Sequence, residues 1–348
     1  MFDHLLGNAD IKNALSRMLE TKAIANSLLF AGSDGIGKGL FALALAEALL
    51  GRSNHPDLHI LQPEGKIGLH SIQALRRFSE EVYMAPFHGL WKVFIIHDAE
   101  RMLPASGNAL LKTFEEPAPD TLIILLSSQP TALLPTILSR CRKLYFRPIE
   151  TDKIAHQLQE KHQIGGDEAK RIAYLAQGSI GKALRLLHGA SDKGRKILLE
   201  QLSRGKARSY KELTEMVEAL AEEVEHSKQA LEGEISSLQG SLEGFNASQK
   251  EILQKELDGA LAMRLLHEAE NLFQICLEWF RDLQLLSVNG DRSLLIHRDY
   301  ESELEQAFHR GELQPLEKVE KAITHARTAL ERSSGFSSSL ESLFLHIL

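Results

Sequence analysis

Length and composition limit the kinds of protein that this chain can be. Its 348 residues, 43% of them hydrophobic and 25% charged, suffice for two or three folded domains and argue against overall disorder. The formal net charge of −7 excludes a positive field over the whole chain, so any DNA contact is expected to be local or shared with partners. Two distant cysteines exclude a disulfide scaffold, and no segment approaches the roughly 18 uninterrupted apolar residues of a membrane span, so we expect a cytoplasmic protein.

Strand-like and helix-like stretches alternate through the first 150 residues. Strands are predicted at 27–31, 58–62, 91–97 and 121–128, and helices at 40–50, 72–83 and 106–115. Two of the strands contain continuous apolar runs, at 93–96 and 122–126, which is typical of strands covered by helices on both faces. The alternation predicts an α/β domain over residues 1–150 with a largely parallel sheet.

Beyond Pro148 the strand signal ends, and helices separated by glycine turns are predicted. A small helical domain is expected over 151–205, followed by a larger helical domain over 206–348. Within the second, apolar residues recur every seven positions, as in a coiled coil, at Val217, Val224, Leu231, Leu238 and Phe245. After a turn at 246–249, leucines recur every four positions from 253 to 265, which predicts an antiparallel helical hairpin at about 217–265.

Residues 32–38, Gly-Ser-Asp-Gly-Ile-Gly-Lys, match the pattern of a phosphate-binding loop (P-loop). They follow a predicted strand and open a predicted helix, which is the context that the pattern requires. Gly32, Gly35 and Gly37 would let backbone N–H groups approach phosphate oxygens, and Lys38 would reach the outer phosphates. The alternative is an ordinary glycine turn between a strand and a helix, and the context favours the P-loop.

Two positions at which a P-loop ATPase needs magnesium ligands carry other residues. Gly39 stands where a serine or threonine hydroxyl normally binds Mg²⁺. The strand at 93–96 runs into polar residues that resemble the acidic motif of such ATPases, but the first of them is His97, a weak ligand for an ion that prefers oxygen. Asp98 follows it and is a further nucleotide-site candidate; the alternative is a strand end with solvated charges. We predict weak ATP binding at most, no bound metal and no required cofactor.

A family resemblance rests on three further segments. Residues 108–117, Asn-Ala-Leu-Leu-Lys-Thr-Phe-Glu-Glu-Pro, closely resemble the helix signature of bacterial AAA+ clamp-loader subunits. Residues 125–128 resemble the strand end that senses a γ-phosphate, with Ser128 in that role, and residues 137–141 resemble the family's Ser-Arg-Cys motif. The resemblance is strong over most of residues 1–205 and weak beyond them. It implies an AAA+ P-loop domain with a parallel sheet, a small helical lid and an all-α collar domain that contains the inserted hairpin.

The resemblance also implies roles for particular residues. Arg140, in the Ser-Arg-Cys motif, would serve as an arginine finger in the ATP site of a neighbouring subunit; the alternative is a plain surface arginine beside a helix. Residues 178–184 resemble the lid motif in which active subunits place a nucleotide-sensing arginine, but that position is Gly181. Lys182 is adjacent and does not replace it, since neighbouring residues of a helix point about 100° apart.

Members of the family often carry a four-cysteine zinc module before a His-Pro-Asp segment, which here is residues 55–57. No cysteine precedes this segment, so we expect no zinc. His55, His59 and His70 do not replace the module, because isolated histidines without cysteines are expected at the surface and solvated.

The substitutions are selective, because positions 39, 97 and 181 lack the residues of a working ATPase whereas position 140 keeps its arginine. The resemblance therefore implies a delta-prime-like stator of the DNA polymerase III clamp loader, without polymerase or substantial ATPase activity of its own. Its partners would be gamma/tau-type and delta-type subunits, the sliding clamp and, through the complex, primed DNA, with no membrane. Two alternatives stay open: a gamma/tau-like ATP-hydrolysing motor and a coiled-coil interaction scaffold.

Overall fold

The computed structural model of the protein describes residues 1–52, 54–187, 192–205, 209–239, 247–332 and 334–348. The chain forms two compact units, Met1–Leu184 and Arg185–Leu348. In the described part of the chain, every helix is too short or too polar to cross a membrane.

The amino-terminal unit alternates strands with helices. Its strands are β1 (Ser27–Ala31), β2 (Leu58–Leu61), β3 (Lys92–Ile96), β4 (Thr121–Ser127) and β5 (Arg142–Tyr145). Its helices are α1 (Ala9–Glu20), α2 (Lys38–Leu50), α3 (Ile72–Val82), α4 (Pro104–Ala109), α5 (Leu111–Glu115), α6 (Pro135–Leu138), α7 (Thr151–His162) and α8 (Gly166–Leu175). Helix α9 (Ile180–Leu187) begins in this unit and ends in the next.

The five strands form one parallel sheet in the order β2-β3-β4-β1-β5. Every residue of β1, β3 and β4 is buried, because successive side chains of a strand point to opposite faces and both faces are covered. Phe30 lies in a core with Phe41 of α2 on one face, and Phe94 lies in a second core with Phe78 of α3 on the other. The predicted α/β architecture with a parallel sheet is confirmed.

The parallel register brings the carboxyl ends of three strands to one edge of the sheet. Leu125 of β4 is paired with both Leu29 of β1 and Ile96 of β3, so the loops that leave these strands emerge side by side. Those loops carry the P-loop residues, the polar residues at 97–100 and Ser128. The carboxyl edge of an open parallel sheet is where ligands usually bind in α/β folds.

Three local features differ from the sequence predictions. The helix predicted at 106–115 is interrupted at Leu110, which ends α4 and precedes α5. Strand β5 and helix α1 were not predicted. In β5 only Leu144 is buried and the other three residues are exposed, so this edge strand carries a weak hydrophobic signal.

The carboxyl-terminal unit is helical throughout its described residues, apart from turns. It contains α10 (Asp192–Arg204), α11 (Tyr210–Gln239), α12 (Ala247–Ser287), α13 (Glu301–His309), α14 (Leu316–Glu331) and α15 (Phe336–Ile347). Its core collects buried side chains from all six helices around α12, where Phe273, Trp279 and Leu283 are each at most 1% exposed. The prediction that helices follow the sheet is confirmed for the described residues.

The predicted hairpin corresponds to α11 and the first part of α12, which pack against each other. Ser227 of α11 accepts a hydrogen bond from Arg264 Nε (2.7 Å) and donates one to Glu268 Oε1 (3.3 Å), both of α12. Val217 and Val224 are buried, as the heptad pattern requires, whereas the leucines at 253–265 are only half-buried. The Leu238 side chain, Phe245 and Asn246 lie outside the described residues, whereas positions 247–249 of the predicted turn form the start of α12.

Candidate nucleotide site and arginine finger

The P-loop connects β1 to α2 and has the backbone geometry that its glycines permit. Gly35 and Gly37 have φ values of 72° and 99°, a region that side-chain-bearing residues rarely adopt. A Cβ on Gly35 would lie 2.4 Å from Ser179 Oγ and 3.2 Å from Gly181 Cα. The glycine at 35 is therefore required both by its conformation and by a close approach of the segment 179–181.

Lys38 turns back onto its own loop. Its side chain is 8% exposed, and Nζ donates hydrogen bonds to the carbonyl oxygens of Gly32 (2.6 Å) and Ser33 (2.8 Å). Burial lowers the pKa of Lys38, and the nearby carboxylates of Asp34, Glu100 and Asp98 oppose that shift. The ammonium group that would contact phosphate oxygens is thus bound to the loop itself.

Residues 179–181, which include the start of α9, pack against the P-loop. Ser179 Oγ donates to Asp34 O (2.9 Å), and the backbone N–H of Gly181 donates to Gly35 O (2.8 Å). A Cβ on Gly181 would lie 2.9 Å from Gly35 Cα, which is closer than real contacts allow. Gly181 therefore does more than lack a sensing arginine, since its small size lets two backbone segments touch.

Glu100 is a site residue that the sequence analysis did not single out. Its Oε1 atom accepts hydrogen bonds from Ser128 Oγ (2.7 Å), Ser128 N (3.0 Å) and Gln129 N (3.3 Å). Its Oε2 atom is buried and has no hydrogen-bond partner among the described residues. The predicted phosphate sensor Ser128 is therefore bound to an internal carboxylate. The sequence offered one signal for this role, because Glu100 is a carboxylate that follows closely after the end of β3.

Two positions at which a P-loop ATPase carries magnesium ligands, 39 and 97, have side chains that do not suit a magnesium ion. A Cβ on Gly39 would lie 3.5 Å from His97 Cε1, so the missing hydroxyl would face an imidazole. Burial, together with nearby His70 and Lys38, lowers the pKa of His97, which favours the neutral form of the ring. The side chains at positions 39 and 97 thus offer no oxygen ligand. No cluster of three His, Cys, Asp or Glu residues suited to a metal occurs in the described ranges.

Arg140 follows α6 and lies in a different environment from the P-loop residues. Its Nη2 atom forms an ion pair with Glu115, and Nη1 donates to Thr136 O (2.7 Å) and Ser139 Oγ (3.4 Å). The side chain stays 31% exposed, whereas burial raises the pKa of the adjacent Cys141 thiol to about 12. The arginine of the Ser-Arg-Cys motif is therefore accessible, and its cysteine is a neutral packing residue.

The His-Pro-Asp segment fixes a neighbouring loop. The Asp57 carboxylate is 1% exposed and accepts hydrogen bonds from three consecutive N–H groups, those of Phe87 (2.5 Å), His88 (2.9 Å) and Gly89 (3.1 Å). Burial alone would raise the pKa of Asp57, but these N–H groups and the nearby His55 hold it below its ordinary value. The segment therefore holds the loop at 87–89 in place through the Asp57 carboxylate.

The expectation that the three histidines near this segment are solvated was wrong: the side chain of His55 is 8% exposed and lies against Asp57, and His59 and His70 also pack inside the fold. His70 is 1% exposed, and its Nε2 atom is 2.7 Å from His97 O. His59 is half-buried and stacks on Phe94 with ring centroids 4.7 Å apart. His70 is buried because a backbone bridge to Met102 places its imidazole beneath the loop that follows β3.

Comparisons with known proteins agree with the motifs. The family described as DNA polymerase III, delta subunit, matches residues 50–150. The DNA polymerase III subunit delta' of Bacillus subtilis (strain 168) is 34% identical over 170 residues, covering 43% of this chain and 51% of that protein. The delta' subunit of Escherichia coli (strain K12) is 32% identical over 155 residues, covering 44% and 46%. The chain thus spans about half the length of these relatives.

Gamma/tau subunits are also similar to this chain in sequence. The DNA polymerase III subunit gamma/tau of Mycoplasma pneumoniae is 29% identical over 215 residues, covering 55% of this chain and 31% of that protein. A gamma-subunit-related protein of Thermotoga maritima superimposes on 95% of this chain and 97% of its own with 18% identity and a TM-score of 0.43. At this TM-score the superposition supports no conclusion about the chain. Together the sequence matches show that part of this chain is similar to delta' and gamma/tau subunits of DNA polymerase III.

Proposed function

We propose that the chain is a stator subunit of a DNA polymerase III clamp loader, which supplies Arg140 to the ATP site of a neighbouring subunit. The assembled complex would load a sliding clamp onto primed DNA, with gamma/tau-type and delta-type subunits as the partners. Within this complex the chain requires no cofactor and binds ATP weakly at most. The sequence similarity to delta-prime subunits supports membership of the clamp-loader family. The hydrogen bonds that Lys38 makes to its own P-loop support the stator role.

The single observation that carries the proposal is the contrast between the P-loop and Arg140. Lys38 is bound to carbonyl oxygens of its own loop, and Ser179 and Gly181 hold that loop from the lid side. Arg140 by comparison lies on the surface beside α6. A chain with a closed P-loop and an accessible arginine is better suited to complete a neighbour's site than to hydrolyse ATP itself.

The chemistry of such a contribution is electrostatic. Phosphoryl transfer spreads negative charge over the transferred group, and a guanidinium presents its N–H donors in a planar fork that matches phosphate oxygens. An arginine finger supplied by another subunit raises the rate about 10³–10⁵-fold in well-studied cases. Arg140 would therefore act on the bond broken in the neighbour's ATP and not on any group of this chain.

The test is ATP hydrolysis by the reconstituted loader, in the presence of primed DNA and clamp, with Arg140→Ala in this subunit. We expect clamp-dependent hydrolysis and loading to fall by at least about tenfold with assembly intact. The matched control is Arg142→Ala, which removes an exposed arginine two positions away. If the two variants lower ATP hydrolysis equally, or if Arg140→Ala does not lower it, then Arg140 is not an arginine finger.

The gamma/tau-like motor is the second candidate, and the similarity to gamma/tau proteins is the observation that favours it. It predicts ATP turnover by the isolated chain and tight nucleotide binding at Lys38. We expect no turnover above background, because positions 39 and 97 lack oxygen ligands for magnesium. Phosphate release by the purified chain, measured beside a gamma-type subunit as the positive control, separates the two functions.

A further inference from the structure

The candidate arginine finger is held by a residue of its own chain. Glu115 is the last residue of α5, and its carboxylate forms an ion pair with Nη2 of Arg140, 25 positions further along the chain. The other terminal nitrogen donates to Thr136 O at 2.7 Å and to Ser139 Oγ at 3.4 Å. Both terminal nitrogens of the guanidinium are therefore bound within the chain, Nη2 to Glu115 and Nη1 to Thr136 and Ser139.

The position of Glu115 favours this pairing. A carboxylate at the last residue of a helix is near the carbonyl end of the backbone, where negative charge is unfavourable and a cation is the stabilising partner. Both side chains remain partly exposed, at 46% for Glu115 and 31% for Arg140, so water and salt weaken the attraction. The ion pair is thus oriented by the fold and yet easily separated.

Carboxylate and phosphate compete for the same donors. Each presents oxygen atoms that match the planar N–H fork of a guanidinium, so Nη2 cannot keep its bond to Glu115 and take a phosphate oxygen in the same direction. While the ion pair persists, the charge of Arg140 is also balanced by Glu115. A nucleotide in a neighbouring subunit must displace the carboxylate before Arg140 acts.

We infer that Glu115 is a positioning residue that withholds Arg140 until a neighbour's ATP is correctly placed. The inference rests on the proposed function, and it adds a restraint on hydrolysis when primed DNA and clamp are absent. In that state the Arg140–Glu115 ion pair lowers the fraction of time that the guanidinium spends on phosphate. Once the complex is engaged, the ion pair is already broken and Glu115 has no further effect on the rate.

The experiment uses the reconstituted loader with Glu115→Gln, which removes the charge and keeps the shape. We expect ATP hydrolysis without DNA and clamp to rise about two- to five-fold, which corresponds to about 0.4–1 kcal/mol at 1.4 kcal/mol per factor of ten. The rate with primed DNA and clamp should equal that of the unmodified loader. The matched control is Glu116→Gln, which changes the adjacent exposed carboxylate and should alter neither rate.

The Arg140→Ala variant distinguishes a failure of this inference from a failure of the proposed function. Adding Glu115→Gln to Arg140→Ala should change nothing, because the carboxylate acts only through the arginine; a rise that persists in the double variant would overturn the inference. If Arg140→Ala lowers the rate while Glu115→Gln matches Glu116→Gln or lowers the DNA-free rate, the restraint fails and the stator stands. If Arg140→Ala has no effect in an assembled loader, the proposed function fails and the inference fails with it.

Discussion

The ammonium group of Lys38 donates to two carbonyl oxygens of its own loop, at 2.6 and 2.8 Å. In a P-loop that holds nucleotide, the same group would contact the outer phosphates. The backbone contact between Gly35 and Gly181 closes the loop further, and it depends on two residues without side chains meeting at one point. These contacts of individual residues are the basis of the proposal that the chain binds ATP weakly at most.

Restoring one magnesium ligand should not restore hydrolysis. Gly39→Ser supplies the missing hydroxyl, and a Cβ at this position makes only ordinary contacts, the nearest 3.5 Å from His97 Cε1. The His97 imidazole and the closed loop remain, so we expect phosphate release by the isolated chain to stay at background. Gly39→Ala serves as the control for effects on α2. Turnover by Gly39→Ser alone would show that the hydroxyl was the single missing element.

The Asp57 carboxylate gives a second prediction at the level of one residue. Asp57→Asn keeps the shape but weakens three charge-assisted hydrogen bonds from backbone N–H groups, so we expect a loss of about 2 kcal/mol in the free energy of unfolding. Hydrogen exchange of the amides at 87–89 should accelerate in the variant. An exposed aspartate in the first turn of α7, Asp152, provides the matched control as Asp152→Asn.

The pH dependence of this contribution has a definite sign. Because the pKa of Asp57 in the folded protein is below its ordinary value, the stabilisation is complete above the unfolded-state pKa of about 3.9 and is lost as the pH falls through the folded-state value. Asp57→Asn should remove this acid-dependent part, measured by urea unfolding between neutral and acidic pH. Identical pH profiles for Asp57→Asn and the unmodified chain would contradict the assignment.

At the scale of elements, the helical hairpin divides into a packed base and an exposed outer part. Val217 and Leu220 belong to the core of the carboxyl-terminal unit, and Ser227 is bonded to Arg264 and Glu268. Beyond Ser227, the described side chains of α11 are exposed or half-buried. A deletion of 218–262 would therefore remove core residues together with the hairpin, and a shorter deletion is needed to test the coiled-coil alternative.

Replacing residues 229–262 by a short Gly/Ser linker removes the outer hairpin and leaves its base. We expect the carboxyl-terminal unit to keep its fold, because Leu220 and Val224 stay in place, and the loader to assemble and hydrolyse ATP within about twofold of the unmodified complex. Helical content, assembly and hydrolysis are the measurements. Loss of clamp loading in a complex that assembles normally would favour the interaction scaffold over the stator.

The sequence predicts those elements whose signal is local. Strands β1, β3 and β4 are continuous apolar runs, and their burial on both faces follows directly from that pattern. Strand β5 is not predicted, because Leu144 is its one buried residue and the strand therefore has no apolar run. The interruption between α4 and α5 at Leu110 is not predicted either, because the sequence on both sides of it is typical of a single helix.

The candidate site could be predicted only as far as its motifs. The P-loop glycines and Arg140 stand in recognisable segments, whereas three contacts that define their state join distant positions. Ser179 reaches Asp34 across 145 positions, Glu100 reaches Ser128 across 28, and Glu115 reaches Arg140 across 25. A hydrogen bond between such positions depends on the folded backbone, and periodicity along the chain carries no information about it.

At the scale of the whole molecule, the two units carry different parts of the proposal. Met1–Leu184 contains the P-loop, the Ser-Arg-Cys motif and residues 50–150, which match the delta-subunit family. Arg185–Leu348 is helical throughout its described residues apart from turns, and most of it is the region predicted to form the collar domain. With a net charge of −7, the chain provides no global attraction for DNA, which agrees with contact made mainly through the complex.

The central claim is that this chain serves its neighbour's ATP site and not its own. The most direct measurement compares Lys38→Ala with Arg140→Ala, each in the reconstituted loader, by steady-state ATP hydrolysis with primed DNA and clamp, after gel filtration has shown equal assembly. The stator account predicts a rate within about twofold of the unmodified loader for Lys38→Ala and a fall of at least about tenfold for Arg140→Ala. The reverse pattern, with Lys38 essential and Arg140 dispensable, would contradict the account and make the chain a motor.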